Sequence, residues 1–241
     1  TKLLAKSFKF AMASSGYNRY DLHRYGYQHV LDAQYFIDLE RFDSMKLDDK
    51  IAEQYKNTTN IIFVGRRVPN KKAEDLLKIF TYYKKLNPNS KLFLLGGSWS
   101  VEKYVNKLQD LQSKLHLNKD DVIIIDTLSD DELQSYYKIA DVFLCMSEHE
   151  GFCIPLVESM YFQKPIIAYN STAIPDTLGG SGILVNHKKY DEIAQIINLI
   201  QTNDNLKNKI ISKQNERLMF FENTRPSDIL EKNIDFVSLN S

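Results

Sequence analysis

Cysteine is scarce in this 241-residue sequence, and long apolar runs are absent from it. Its 2 cysteines are Cys145, within an apolar run, and Cys153, in a loop; they could in principle pair, but two cysteines are too few for a disulfide framework. No apolar run approaches the ~20 residues that span a membrane, and Lys2, Lys6 and Lys9 interrupt any signal-peptide core. We therefore expect reduced thiols and a cytoplasmic chain, with peripheral contact to a membrane left open.

The formal net charge at pH 7 is zero, because 31 Lys and Arg residues balance 31 Asp and Glu residues. This balance argues against a nucleic-acid-binding protein and leaves any anion site to local geometry. The 5 histidines are scattered, no Cys–His cluster has metal-ligand spacing, and no Asp-any-Asp pair occurs that could hold a divalent ion. We therefore predict no metal site.

Short apolar runs alternate with longer amphipathic segments between residues 60 and 200. The predicted strands are 60–64, 91–95, 122–125, 141–145, 166–168 and 183–185. The predicted helices are 71–86, 99–115, 130–139, 155–162, 172–178, 190–201, 204–221 and 226–236. Continuous apolar runs such as Val122–Ile125 suit strands buried on both faces, and helices between strands imply parallel crossovers. The sequence therefore predicts an α/β fold with a doubly wound, Rossmann-like parallel sheet.

Glycine-rich and polar segments follow four of the predicted strands, at 65–67, 96–98, 127–129 and 147–154. Ligands of doubly wound sheets bind beyond the carboxyl ends of the strands, where these segments are expected. The pair Gly96-Gly97 lacks the third glycine of a dinucleotide-binding fingerprint. An ordinary turn after the strand explains the pair nearly as well as a nucleotide site does.

The segment from Glu150 to Glu158 carries most of the chemical information. Pro155 suits the first position of a helix, whose free N–H groups favour a phosphate, and Gly151 lets the backbone approach that ligand. A carboxylate accepts several hydrogen bonds, so Glu158 matches the vicinal hydroxyls of a ribose and Glu150 those of a second sugar. Alternatively, the two acidic residues only stabilise the helix start, by up to about 1 kcal/mol each. The spacing suggests a nucleotide-sugar site.

The longer string from Ser147 to Ile167 resembles the retaining glycosyltransferases of GT-B fold, family 4 type. The residues that carry the resemblance are Glu150, Gly151, Phe152, Ile154, Pro155 and Glu158, followed by Lys164, Pro165, Ile166 and Ile167. Three positions depart from the family pattern, namely Cys153, where a second glycine is usual, Ser159 and Gln163. A side chain at position 153 is tolerated at negative φ, whereas a positive φ would strain it by roughly 1 kcal/mol or more.

The resemblance implies a role for each residue of the site. Arg66 and Lys71 would contact the donor diphosphate, Glu150 the donor sugar and Glu158 the ribose, which makes Glu150, Arg66 and Lys71 the implied catalytic residues. The implied donor-binding residues are Gly65, Gly97, Thr127, Leu128, His149, Gly151, Phe152, Cys153, Ile154 and Glu158. Alternatively, the basic cluster is a solvated face at the start of a helix, although cations are mildly unfavourable at that end, and His149 is an ordinary loop residue.

The resemblance also divides the chain into three parts. Residues 1–45 are similar to the last strand, helix and strand of the family's N-terminal domain, with extended segments at 8–14 and 30–36. Residues 46–221 would form the Rossmann-like nucleotide-sugar-binding domain, the C-terminal half of a GT-B fold. A helix within 222–241 would pack toward the N-terminal domain. Most of the acceptor-binding half would then be missing from this chain.

The implied activity is transfer of a hexose, without a metal or other cofactor, from a UDP-, GDP- or ADP-linked sugar to a glycan or lipid-linked acceptor. The resemblance implies retention of the anomeric configuration and a role in bacterial surface polysaccharide synthesis. Two alternatives stay open from the residues themselves. One is a nucleotide-sugar-binding or interaction module without catalysis, and the other is a nucleotide-sugar epimerase of the same fold.

Overall fold

The computed structural model describes residues 2–33, 35, 37–44, 46–97, 102–224 and 226–239. Its strands are β1 (Phe10–Ala13), β2 (His29–Asp32), β3 (Thr59–Val64), β4 (Ser90–Leu95), β5 (Val122–Ile125), β6 (Val142–Cys145), β7 (Ile166–Tyr169) and β8 (Ile183–Val185). Its helices are α1 (Gly16–Arg24), α2 (Asp49–Tyr55), α3 (Ala73–Leu86), α4 (Glu102–Lys114), α5 (Asp130–Ile139), α6 (Ile154–Tyr161), α7 (Ile174–Leu178), α8 (Tyr190–Thr202), α9 (Asp204–Glu222) and α10 (Pro226–Leu239). Single 3₁₀ turns lie at Leu4–Lys6, Glu40–Ser44 and Pro69–Lys71. Among these described helices, none has both the length and the apolar character needed to cross a membrane.

Strands β3 to β8 form a six-stranded parallel sheet in the order β5-β4-β3-β6-β7-β8. The strand order reverses at β3, which pairs with β4 on one side and with β6 on the other. This creates a topological switch point between β3 and β6, the place where doubly wound sheets bind ligands. The predicted doubly wound, Rossmann-like parallel sheet is confirmed.

Helices cover the sheet and explain why its strands are apolar throughout. Helix α3 packs against α4 and α8, whereas α6 packs against α7 and α9. In α3 the buried apolar residues Leu76, Ile79, Phe80 and Tyr83 recur at helical spacing and form the face toward the core. The central strands are accordingly buried, with Leu92–Leu95 at 0% exposure.

Two helices begin later than predicted. Helix α3 was predicted from residue 71, but Lys72 adopts the left-handed conformation with φ +55° and ψ 45°, so the helix starts at Ala73. A left-handed residue cannot continue a right-handed helix. Helix α7 was predicted from residue 172, but Thr172 has φ +45° and the helix starts at Ile174. Residues 99–101 of the helix predicted at 99–115 lie outside the described residues. Helix α2 was not predicted.

Strands β1 and β2 form a separate two-stranded parallel sheet linked by α1. Helix α10 contacts this unit, because Asn233 Nδ2 donates a 2.7 Å hydrogen bond to the carbonyl of Asp32 and the rings of Phe236 and Phe10 lie 6.2 Å apart. Strand β2 ends at residue 32, and positions 34 and 36 of the longer predicted segment lie outside the described residues. The division of the chain at residues 45 and 221 stays a prediction.

Candidate functional site

The loops after β3, β4 and β6 meet at the carboxyl edge of the sheet, where backbone hydrogen bonds join them. Arg67 N–H donates to the carbonyl of Gly97 at 3.1 Å, and Glu148 N–H donates to the carbonyl of Asn70 at 2.8 Å. The side-chain amide of Asn70 donates to the carbonyl of His149 at 3.0 Å. Residues from three separate sequence segments therefore form one site at the switch point.

Two glycines allow the ends of β3 and β4 to approach each other closely. Gly96 has φ +117°, and a Cβ at this position would lie 2.8 Å from the carbonyl oxygen of Gly65. Gly65 itself has φ +155°, and a Cβ there would lie 3.1 Å from the ring of Phe63. Residues that carry a side chain rarely adopt such backbone conformations. The close approach of the two loops therefore accounts for Gly96, whereas the backbone conformation and the ring of Phe63 account for Gly65.

A cleft of about 530 Å³ lies beside these glycines. The residues that line it are Val64, Arg66, Val68, Leu95, Gly96, Gly97, Asp126, Thr127, Leu128 and Leu133. Its volume lies within the range of about 300–1,000 Å³ that is usual for small-molecule sites. Of the predicted site residues, Arg66, Gly97, Thr127 and Leu128 are brought together in this cleft.

The structure distinguishes Arg66 from its neighbour Arg67, which the sequence alone leaves easily confused. Arg67 is buried at 2% exposure, and its guanidinium donates to the carbonyl of Gly96 and to the carboxylate of Asp126. Arg67 therefore joins the loops after β3, β4 and β5. Arg66 is exposed and lines the cleft, where its guanidinium is available to an anionic ligand.

Lys71 and Glu150, two of the predicted catalytic residues, form an ion pair with each other. Lys71 Nζ lies 2.6 Å from both carboxylate oxygens of Glu150. The two side chains are 18% and 6% exposed, and the amide of Glu150 donates to Thr172 Oγ1 at 2.8 Å. The next basic residue, Lys72, instead pairs with Glu148 at 2.9 Å. The ion pair fixes Glu150 at the carboxyl end of β6.

Helix α6 begins one residue before Pro155, at Ile154, so the proline occupies the second helical position and not the predicted first. Both positions lack an intrahelical acceptor for the N–H group, so a proline is accommodated at either. Cys153, the residue before the helix, adopts the left-handed conformation with φ +73° and ψ 69°. Among the described residues, the amides of 151–154 have no protein acceptor. These amides and the helix start can bind an anion.

Glu158 is buried at 4% exposure in the second turn of α6, and both of its carboxylate oxygens have a donor. Tyr137 Oη donates to Oε2 at 2.7 Å, and Arg41 Nη2 donates to Oε1 at 2.6 Å. Burial raises the pKa of the Glu158 carboxyl, while Tyr137 and Arg41 oppose that rise. A ligand hydroxyl would share this carboxylate with Arg41. Sequence analysis missed both partners, because nothing in their local sequence signals a contact with α6.

Three other predicted donor-binding residues contact neighbouring parts of the protein. The ring of His149 lies 6.1 Å from that of Tyr17. The carbonyl of Gly151 accepts a 3.1 Å hydrogen bond from Asn18 Nδ2. The ring of Phe152 is 7% exposed and packs 5.7 Å from that of Phe221, so of this residue only the backbone is placed to meet a ligand. These contacts join the loop to α1 and α9.

A cluster of two thiols and one carboxylate was also missed by sequence analysis. The sulfurs of Cys145 and Cys153 and a carboxylate oxygen of Glu150 all lie within 4.8 Å of one another. The hydrogen bond from Cys153 lowers the pKa of the Cys145 thiol, and the same bond together with burial raises the pKa of Cys153. The only sequence signal is a cysteine at each end of the loop between β6 and α6.

Solved structures with a similar fold include a domain of a glycosyl transferase and a trehalose-6-phosphate synthase. Anabaena Alr3699/HepE in complex with UDP and glucose matches with a TM-score of 0.79 at 16% identity, over 99% of this chain and 67% of that chain. The trehalose-6-phosphate synthase OtsA matches with a TM-score of 0.80 at 14% identity, over 96% of this chain and 60% of that chain. The C-terminal domain of the group 1 family protein LpcC from Francisella tularensis matches with a TM-score of 0.64 at 20% identity, over 76% of this chain and 97% of that chain. At these identities the likeness shows the GT-B type of fold.

Curated relatives include enzymes of bacterial surface polysaccharides. The capsular polysaccharide biosynthesis glycosyltransferase CapM of Staphylococcus aureus is 26% identical over 203 residues, 83% of this chain and 51% of its own length. The lipopolysaccharide 1,2-N-acetylglucosaminetransferase of Salmonella typhimurium is 28% identical over 140 residues, 56% of this chain and 35% of its own length. The chain thus spans about half, or less, of the relatives it matches. The model of the family described as "Glycosyl transferases group 1" matches residues 44–217, well over half of the sequence, and the chain belongs to this family.

Proposed function

We propose that this chain is the donor-binding half of a retaining hexosyltransferase that acts in bacterial surface polysaccharide synthesis. The donor is a nucleoside diphosphate sugar, and the acceptor is a glycan or a lipid-linked glycan. The observation that carries the proposal is the convergence of Arg66, the amides of 151–154 and the buried carboxylates of Glu150 and Glu158 at the switch point of the sheet.

The diphosphate is proposed to bind between the cleft and the start of α6. Arg66 lines the cleft, and its planar guanidinium can donate two parallel hydrogen bonds to phosphate oxygens. The amides of 151–154 and the positive end of the helix dipole lie at the start of α6, after the neighbouring strand β6, and are proposed to bind the other phosphate oxygens. Negative charge grows on the diphosphate as the glycosidic bond breaks, so these donors stabilise the transition state more than the ground state.

Glu150 is proposed to orient the donor sugar, and Lys71 to hold Glu150. The ammonium of Lys71 contacts both oxygens of the carboxylate at 2.6 Å, which leaves lone pairs on each oxygen for sugar hydroxyls. The same ammonium adds positive charge beside the departing diphosphate. Arg66 and Lys71 together supply the charge that a divalent ion supplies in other transferases, so the proposal assigns no metal to the reaction.

The nucleoside is proposed to lie along the cleft beside Thr127 and Leu128. Apolar side chains such as Val68 and Leu133 form part of the wall and suit the face of a base. Glu158 would accept hydrogen bonds from the ribose hydroxyls while it keeps the bond from Tyr137. No covalent nucleophile is assigned, because the two-carboxylate mechanism of glycosidases needs both carboxylates at the scissile bond, and Glu158 is assigned to the ribose.

Calorimetric titration of UDP-, GDP- and ADP-linked sugars tests the proposal without an acceptor. We expect saturable binding of one donor class, weakened by Arg66→Ala and by Glu158→Gln. Lys85→Ala is the charge-matched control, because Lys85 lies in the last turn of α3, at the opposite edge of the sheet. Absence of binding by the folded chain, or equal weakening by the control, would contradict the proposal.

The same titration separates the alternative of a binding module without catalysis. In a hexosyltransferase, Glu150 contacts the sugar, so Glu150→Gln should weaken binding of the sugar nucleotide more than binding of the free nucleoside diphosphate. A module that recognises only the nucleotide would lose equal affinity for both ligands. Product analysis excludes an epimerase if the donor sugar is recovered unchanged.

A further inference from the structure

The loop between β6 and α6 carries two thiols that the proposed transfer reaction does not use. Cys145 is the last residue of β6 and is 0% exposed, whereas Cys153 is the partly exposed residue before α6. Both are free cysteines, and their sulfurs lie within 4.8 Å of each other. Residues 146–153 between them have no helix or strand.

The cluster of Cys145, Glu150 and Cys153 is a poor metal site, because its carboxylate is already paired with Lys71. A carboxylate oxygen of Glu150 completes the group of three ligand atoms, but Lys71 Nζ contacts both oxygens of that carboxylate at 2.6 Å. A divalent ion would therefore have to displace the ammonium from a nearly buried ion pair. The thiol pair needs no such displacement, because it can react by forming a bond between its own sulfurs.

We propose that Cys145 and Cys153 form a thiol-modification site, which a low-molecular-weight disulfide converts to an intramolecular disulfide. A disulfide requires sulfurs about 2.05 Å apart, so the two sulfurs must approach by rotation of the side chains and a shift of the loop. The segment 151–153 can take up this shift, because its amides have no protein acceptor among the described residues. The positive φ of +73° at Cys153 adds strain at the residue that has to move.

The reaction proceeds by two thiol–disulfide exchanges. Cys153 is the more exposed thiol, and its raised pKa makes the first exchange the slow one, because only its thiolate attacks a sulfur of the small disulfide. This attack forms a mixed disulfide and releases one small thiol. The thiolate of Cys145 then attacks the sulfur of Cys153 and releases the second small thiol. Two protein thiols lose two electrons and two protons, and the small disulfide is reduced to two thiols.

The position of Glu150 connects this site to donor binding, a consequence that depends on the proposed function. Glu150 and the amides of 151–153 lie inside the loop that the disulfide closes. Drawing Cys153 toward the end of β6 displaces these amides from the geometry that receives the diphosphate. We expect the oxidised chain to bind the donor at least about tenfold more weakly, a change of about 1.4 kcal/mol.

Oxidation of the folded chain by glutathione disulfide, with a chelator present to exclude metals, tests the thiol site directly. We expect loss of two hydrogens in the intact mass, a Cys145–Cys153 cross-link in the peptide map, and reversal by dithiothreitol. The variant Cys145→Ala should stop at a glutathione adduct on Cys153. The variant Cys153→Ala should leave the buried Cys145 unmodified, and circular dichroism checks that both variants fold.

Two outcomes would overturn the thiol site. In one, the unsubstituted chain ends as a stable glutathione adduct on Cys153 while Cys145 stays reduced. In the other, both thiols stay reduced in the folded chain but react in urea. Donor titration of the reduced and oxidised chains is a separate measurement. If the reduced chain binds no donor, the proposed function fails and the thiol result stands; if both forms bind equally, only the link to Glu150 fails.

Discussion

At the scale of single residues, the two glutamates of the site are held by basic side chains from other parts of the chain. Lys71, from the loop after β3, contacts Glu150, and Arg41, which precedes the six-stranded sheet, contacts Glu158. Burial of a charge is costly unless the charge is paired, so each partner stabilises its glutamate at a defined position. Sequence analysis could find the glutamates from their local string. It could not find Arg41, because that contact spans 117 positions.

Removal of one member of the Lys71–Glu150 pair should destabilise the fold. Each of Lys71→Met and Glu150→Gln leaves an uncompensated charge at a nearly buried position, which costs about 3–5 kcal/mol at a fully buried site. Because the side chain of Lys71 is 18% exposed, we expect the lower end of that range. Urea unfolding measures both variants, and the double variant should recover much of the loss.

The neighbouring pair of Lys72 and Glu148 provides the matched control. Its side chains are 27% and 46% exposed, so solvent screens the interaction. We expect Glu148→Gln to change the free energy of unfolding by no more than about 1 kcal/mol. Equal losses at the two pairs would contradict the assigned difference in burial.

Glu158 should give stability an unusual dependence on pH. Burial raises the pKa of its carboxyl above the ordinary value of 4.5. At a pH between 4.5 and this raised pKa, the folded chain therefore binds more protons than the unfolded chain. The free energy of unfolding of the unsubstituted chain minus that of Glu158→Gln should therefore fall as pH rises through this window. Urea unfolding across pH 4 to 7, about the span in which such a group titrates, measures the difference.

The matched control for this pH dependence has the opposite sign. The hydrogen bond from Lys72 lowers the pKa of Glu148, so its contribution to stability is present above the ordinary value and is lost as pH falls through the lowered pKa. The free energy of unfolding of the unsubstituted chain minus that of Glu148→Gln should therefore rise with pH. Equal slopes for the two variants would refute the assignment at Glu158.

At the scale of secondary structure, apolar periodicity predicted the six strands of the sheet and the helices that follow them. The central strands of the sheet are buried on both faces, so a continuous apolar run marks each one. The edge strand β5 was also predicted to be buried on both faces, but its Ile124 is 39% exposed. The start of α3 was not predictable, because it depends on the left-handed conformation of Lys72, which no residue type signals. Helix α6 is the element on which the site depends most. Its predicted start was one residue late, because Pro155 was assigned to the first helical position and is accommodated equally well at the second.

Replacement of Cys153 by glycine should stabilise the chain relative to replacement by alanine. Both variants remove the thiol, but only glycine relieves the strain of φ +73°, which costs about 1 kcal/mol. Urea unfolding of the two variants measures the net effect, because both lose the thiol and the strain of alanine at positive φ exceeds the entropy that glycine gains in the unfolded chain. A glycine variant no more stable than the alanine variant would show that the backbone at this position is not strained.

At the scale of the whole molecule, the chain joins a six-stranded parallel sheet to a small parallel sheet of two strands. Helix α10 and the contact between Asn18 and Gly151 connect the two units. The chain matches about half of the length of the curated relative CapM, and the proposed function assigns the donor-binding half to this chain.

We therefore expect the 241-residue chain to bind its donor but to transfer the sugar at a negligible rate. The physical reason is that an acceptor must be held against the reacting carbon for transfer to compete with loss of the donor. A radiolabelled donor incubated with acceptor lipid extracts measures this. Transfer by this chain alone, at a rate comparable to that of a longer relative, would contradict the expectation.

The position of a bound nucleoside diphosphate tests the central claim most directly. A crystal structure of the chain with the diphosphate that binds best in calorimetry would supply it. The account predicts the phosphates between Arg66 and the amides of 151–154, the ribose at Glu158, and the base beside Thr127 and Leu128. A nucleotide bound elsewhere on the protein, with this cleft occupied only by solvent, would contradict the account.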